Sequence, residues 1–134
     1  MSSSELLIDL YLQTKRSEQE IIIKLESIIG LKIESVNFPC ANSELFLLPV
    51  EYSQGYKQGI SIMWPANLDN VINGYHIAKE LSCALNVPIL FDASLFDSNA
   101  TTIDGDDIWF LTMSNRQLEQ VNIEILEDGV DVLP

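Results

Sequence analysis

Few residues in this chain have types and spacings that suit chemistry. His76 is the single histidine, and Cys40 and Cys83 are the two cysteines. One His cannot build a multi-His metal site. As a general base it needs a nucleophile and an orienting group converging on it. Cys83 follows His76 by seven positions, so a helix carries both on one face but about 10 Å apart along its axis. That separation exceeds hydrogen-bond reach, and His76 is read as a partly exposed structural residue. Neither cysteine has a CxxC partner or a basic cluster to lower its pKa. Cys83 is expected to be a small buried hydrophobe, and Cys40 sits in a loop. The chain has no GxSxG, P-loop or GxGxxG motif, so the nucleophile-elbow and phosphate-cradling signals are absent. The expectation is a chain that is not an enzyme, with no catalytic residues, cofactor or metal.

A calcium loop is the other chemistry to test. Asp97, Asn99 and Thr101 have the spacing that opens an EF-hand. The pattern then fails, with Thr102 where the turn needs Gly and Ile108 where the bidentate Glu belongs. Asp104, Asp106 and Asp107 read as solvated loop carboxylates.

The elements that position these residues follow from periodicity. Leu6, Ile8, Leu10 and Leu12 alternate with other residues, which predicts a strand over 5–13, with a helix as the competing reading because Leu6, Leu7 and Leu10 also share a helical face. Ser17-Glu18-Gln19-Glu20 is a capping box, and Ile21, Ile22, Leu25, Ile28 and Ile29 form one apolar stripe up to Gly30. This predicts a helix over 17–29. Residues 31–38 alternate loosely. Leu45–Val50 reads as a strand whose Pro49 marks an edge or a bulge. Tyr52–Gly59 reads as a long hairpin loop, followed by a strand with Ile60, Ile62 and Trp64 on one face.

The segment 67–92 organises the rest. Val71, Tyr75, Ala78, Leu81 and Leu85 recur at helical spacing, and Ile77 and Ala84 widen the stripe. Asn67, Asp69 and Asn70 are the expected caps, which leaves Gly74 as an interior weak point. Asn86 and Pro88 end this helix. Ile89-Leu90-Phe91, an unbroken apolar run, predicts a strand buried on both faces. Beyond a polar loop over 93–107, Ile108–Met113 is expected to be a strand. Asn115–Gln117 makes a turn. Val121, Ile123 and Ile125 belong to one half-buried strand, and Asp128-Gly129 turns into a last short strand.

The order is β-α-β-β-β-α-β-β-β in one domain over 1–134. The fold class expected is α+β, with two amphipathic helices on one face of a mostly antiparallel sheet and a C-terminal hairpin. A ferredoxin-like core with that hairpin appended fits the order.

Twenty acids against seven bases give a net charge of −13. Nucleic acid and anionic membrane surfaces are poor partners for such a chain. No apolar run reaches the roughly 20 residues that span a bilayer, and no basic segment precedes Leu6–Leu12 as in a signal peptide. A cytoplasmic location is expected. The charge is also lopsided. Residues 92–134 hold ten acids and one base, Arg116, for −9, while the first 91 carry only −4. Collecting acids in this way costs self-repulsion. A binding face for a basic protein accounts for it, because negative potential steers encounter and apolar groups supply affinity. The candidate contacts are Phe96, Asp97, Asp104, Asp106, Asp107, Glu127 and Asp128. Trp109 is a second apolar candidate, but is expected in the core with Leu111 and Met113.

In size, charge, compactness and the acidic stretch Asp97 to Asp107, the chain resembles the small acidic immunity proteins that bacteria make to neutralise their own basic nuclease toxins. The resemblance implies tight stoichiometric binding, with carboxylates in place of nucleic-acid phosphates. Acidic secretion chaperones for effectors are the alternative class, although these are expected to end in a helix. A small enzyme with an unrecognised site is a third. Under the inhibitor reading, replacing Asp104, Asp106 and Asp107 together by Asn is expected to slow association with the partner and flatten its salt dependence without unfolding the protein. An unchanged on-rate in stopped-flow mixing rejects this loop as the steering face.

Overall fold

The structure, a computed structural model, describes residues 5–65, 73–92, 109–113 and 115–133. Its elements run β1 (Glu5–Leu12), α1 (Glu18–Ile29), β2 (Ile33–Glu34), β3 (Leu45–Glu51), β4 (Gln54–Gly55), β5 (Gln58–Pro65), α2 (Gly74–Leu85), β6 (Ile89–Asp92), β7 (Trp109–Thr112), β8 (Leu118–Val121), β9 (Ile123–Leu126) and β10 (Gly129–Val132). Seven strands form one sheet in the order β2-β3-β5-β1-β6-β7-β8, and β4-β10-β9 form a second. Within the large sheet β1 is antiparallel to both β5 and β6, and β3 is antiparallel to β5. The core order β3-β5-β1-β6, with α1 between β1 and β3 and α2 between β5 and β6, is that of a doubled split β-α-β unit, the ferredoxin-like arrangement. The fold is therefore α+β with a mostly antiparallel sheet, as the sequence order implies. The parallel exceptions are the short β2–β3 and β4–β10 pairings.

Local signals explain both helices. Ser17 caps α1, its hydroxyl accepting from the Glu20 amide at 3.1 Å, and Gly30 closes it in the left-handed region at φ 81°. Asn86 closes α2 in the same way at φ 55°. The start of α2 differs from expectation. Asn73 is the cap, accepting from the His76 amide at 3.0 Å, so Gly74 opens the helix and carries no interior penalty. The expected caps Asn67, Asp69 and Asn70, with Val71, lie outside the described residues. Ala84 is exposed, whereas Ile77, Ala78, Leu81 and Leu85 are buried. Both helices pack on one face of the sheet, against Leu10, Leu12, Leu47, Ile60, Ile62, Ile89 and Phe91.

Pro49 fits without a bulge. Tyr52 N donates to Lys57 O, and bonded pairs alternate along the strand from there, so the Pro49 nitrogen faces away from β5. On that side β2 pairs with Leu45 and Phe46, and no described strand pairs beyond them, so Pro49 stands where the edge is open among the described residues.

The opposite face of the sheet is divided in two. One half carries Tyr11, Leu90, Trp109, Leu111 and Val121, which pack with Tyr56, Val130, Ile123 and Val132 of the second layer. The loop 52–59 contributes to this layer through β4, so it is more than a hairpin connection. Glycines permit the approach: a Cβ on Gly55 would meet Val130 O at 2.1 Å, and one on Gly129 would meet Gln54 O at 2.2 Å. The single strand expected through Val121, Ile123 and Ile125 is two strands. It breaks at Asn122, where the chain leaves the large sheet for the small one, and Ile125 is 74% exposed. The C-terminal hairpin is β9–β10, joined through Glu127-Asp128. The other half of the face bears Leu7, Phe46, Leu48, Val50 and Met63 around Asp9 and Ser61, and Leu7 and Leu48 remain 54% and 43% exposed.

Leu81 is fully buried between α2 and the sheet. Leu81→Ala is expected to lower the unfolding free energy by about 2–5 kcal/mol in urea melts, with no change in the slope.

Candidate functional site

Five of the seven expected contacts, Phe96, Asp97, Asp104, Asp106 and Asp107, lie outside the described residues. The other two, Glu127 and Asp128, occupy the β9–β10 turn and are exposed. They are not equivalent. The Asp128 carboxylate accepts from the Ser53 amide at 2.9 Å and the Ser53 hydroxyl at 2.6 Å. Its own amide donates to Gln54 Oε1 at 3.0 Å, and its carbonyl accepts from the Gln54 amide at 3.2 Å. The Ser53 hydroxyl, then the Ser53 amide, hold the Asp128 carboxyl below its ordinary pKa. Asp128 thus ties the C-terminal hairpin to the loop between β3 and β5. Sequence reasoning missed Ser53 and Gln54, since their partner is some 75 positions away and leaves no local signal.

Further carboxylates line the exposed surface of the same region. Glu119 on β8, Glu124 on β9 and Asp131 on β10 are exposed. Glu124 and Asp131 are directly opposite in the antiparallel register, on the side away from Ile123 and Val132, which pack inward. Like charges so placed repel. Below them, burial and then Asp131 push the buried Tyr56 phenol up to about 12. Arg116, the only base in residues 92–134, is held elsewhere. Its Nε and Nη2 donate to the two carboxylate oxygens of Glu80 on α2, each at 3.0 Å. This bidentate pair lowers the Glu80 pKa, chiefly through the hydrogen bond. The single cation of residues 92–134 is consumed by the helix layer, which leaves strands β8, β9 and β10 with carboxylates.

The other candidate residues do not converge. His76 sits exposed in the first turn of α2. Cys83 is half-buried instead of buried, and Cys40 is also half-buried; both are free thiols. Cys83 lies near Arg116. Among the described residues no group of His, Cys, Asp and Glu is arranged to hold a metal ion. A cavity of about 510 Å³ opens at the start of α1, lined by Lys15, Arg16, Ser17, Glu18, Glu51 and Gln58 among others. Its polar groups are already matched. Gln58 exchanges bonds with the Arg16 backbone at 2.9 and 3.0 Å, Arg16 Nε donates to Leu85 O, Lys15 pairs with Glu51, and Glu18 accepts from Ser35 and Asn37. No described helix is long and apolar enough to cross a membrane.

No family model, curated protein or solved structure matches the chain.

The Asp128 clasp has a defined pH dependence. A carboxyl whose pKa is lower in the folded state stabilises the fold above its unfolded value, near 3.8, and that contribution disappears as pH falls through the folded value. Asp128→Asn is expected to melt at a lower temperature than the wild type at neutral pH. The gap should close in strongly acidic buffer, where the wild-type carboxyl is also neutral. A gap of constant size in calorimetric scans across that range rejects the ionised clasp.

Proposed function

We propose that this chain is a protein-binding inhibitor, an immunity protein that binds and neutralises a basic cognate toxin of the nuclease class through its acidic surface. The observation that carries the reading is the exposed carboxylate layer of the C-terminal third, where Glu124 faces Asp131 and Arg116 is committed to Glu80. Repulsion within that layer costs stability in the free protein and is relieved when cations from a partner approach. Basic nucleases present such cations where they grip phosphates, so the carboxylates occupy the place of the nucleic-acid backbone. Asp97, Asp104, Asp106, Asp107 and Glu127 supply charge in this reading, and Phe96 supplies an apolar contact. Asp128 contributes through Oδ1, since Ser53 holds Oδ2.

The test is affinity capture from the native cell lysate at low and at high salt, followed by reconstitution with the purified partner. The expected outcome is one basic protein retained at one-to-one stoichiometry, released as salt rises, whose toxic activity is lost in the complex. Retention of no basic protein, or a complex that leaves the partner active, overturns the proposal.

A further inference from the structure

The half of the sheet face left open by the second layer has a composition that identifies what it would accept. Its side chains form a grid fixed by the register of three strands. Phe46, Met63 and Leu7 make one row, Leu48, Ser61 and Asp9 the next, and Val50, Gly59 and Tyr11 the third. Leu7, Leu48 and Val50 are 54%, 43% and 38% exposed, so the apolar part is contiguous and accessible. At its middle stands Asp9, exposed, with Ser61 donating to one carboxylate oxygen and no other described residue bonded to the second. Beside it the rings of Tyr11 and Tyr52 lie 6.1 Å apart at a tilt of 34°. The Tyr52 ring rests over Gly59, where an added Cβ would come within 2.9 Å of it. Asp9, Tyr11, Val50, Tyr52, Gly59 and Ser61 thereby enclose a shallow dimple of about 20 Å³. Burial, then the Asp9 carboxylate, then Tyr52 and Asp92, push the Tyr11 phenol up, so negative charge stands beside the dimple.

A carboxylate and two aromatic rings around a small depression are the groups that recognise an ammonium or guanidinium. The surrounding leucines, valine and methionine match apolar neighbours of that cation. A second copy of this chain is a poor occupant, because a two-fold arrangement on this face opposes Asp9 to Asp9 between chains of net charge −13. We infer that the open half-sheet is a docking surface for a basic protein segment, which places one Lys or Arg side chain in the Asp9–Tyr11–Tyr52 dimple and apolar side chains over Leu48 and Leu7. This rests on the reading of a basic partner and assigns that partner an anchoring surface on β1, β3 and β5, distinct from the acidic C-terminal layer.

The experiment titrates the full chain with a short peptide alternating Lys and Leu, and with its counterpart carrying Glu for Lys, followed by amide and methyl NMR. The Lys peptide is expected to shift Asp9, Tyr11, Val50, Gly59 and Ser61 together, and the Glu peptide to shift none of them. Asp9→Asn is expected to weaken the Lys peptide by about tenfold, as for the loss of one charge-assisted contact. Leu48→Ala should weaken it without altering its salt dependence. Both positions are exposed, and unchanged melting temperatures verify the fold of each variant. Shifts confined to Glu119, Glu124 and Asp131 overturn the docking surface while the basic-partner reading stands. Equal binding of the two peptides also overturns it. Absence of any shift with the Lys peptide removes the basis of both.

Discussion

The constraint on which the rest of this structure depends is the burial of β6 on both of its faces. Ile89, Leu90 and Phe91 have no solvent exposure, yet alternate residues of a strand point in opposite directions. Ile89 and Phe91 are covered by the helices, so Leu90 needs a second layer on the other side. Each such side chain contributes roughly 1.5–3 kcal/mol when fully buried. The C-terminal strands are the covering layer, and this explains why the chain leaves the large sheet at Asn122. It also explains the close backbone contacts at Gly55 and Gly129, which hold β10 against the loop 52–59. Asp128 closes the same junction from its outer end through Ser53 and Gln54. The second layer is narrow, and its width decides what remains uncovered. It reaches Tyr11 but not Leu7 or Leu48.

How far the sequence revealed this depends on the range of each interaction. Helix α1 was legible because its signals are local: Ser17 caps its own third neighbour, and Gly30 ends the stripe. The double burial of β6 was legible for a similar reason, since a short run with no polar residue leaves no side for solvent. The start of α2 was not, because several Asn and Asp residues compete to cap it, and only geometry shows Asn73 holding the His76 amide. The break at Asn122 was invisible. Val121, Ile123 and Ile125 keep period two straight through it, and period two does not register a change of sheet. The carboxylates were legible as a charge total only. Nothing in the sequence distinguishes Asp128, bonded to Ser53, from Glu124, opposed to Asp131. The open half-face was also hidden, because Leu48 and Val50 look like any strand residues until the width of the covering layer is known.

The two negative surfaces differ in what they can contribute to association. The outer carboxylates on β8, β9 and β10 are solvated, and screening limits their reach to about 8 Å at physiological salt. Exposed charges of this kind alter encounter rates more than they alter the lifetime of a complex. The exposed apolar side chains near them, Leu118, Ile125 and Leu133, are few, so a complex held there would depend on charge and dissociate readily as salt rises. The open half-sheet has the complementary character. The Asp9 carboxylate sits among exposed Leu7, Leu48 and Val50, where a docked partner would exclude water and strengthen a charge-assisted bond. In the proposed reading, steering and anchoring are therefore assigned to different faces. An inhibitor that binds stoichiometrically needs both a fast on-rate and a slow off-rate, and one surface chemistry does not supply the two together. The fold separates them because the layer that seals Leu90 is the same layer that carries the outward acids, while its limited width leaves the apolar half of the sheet beside it open.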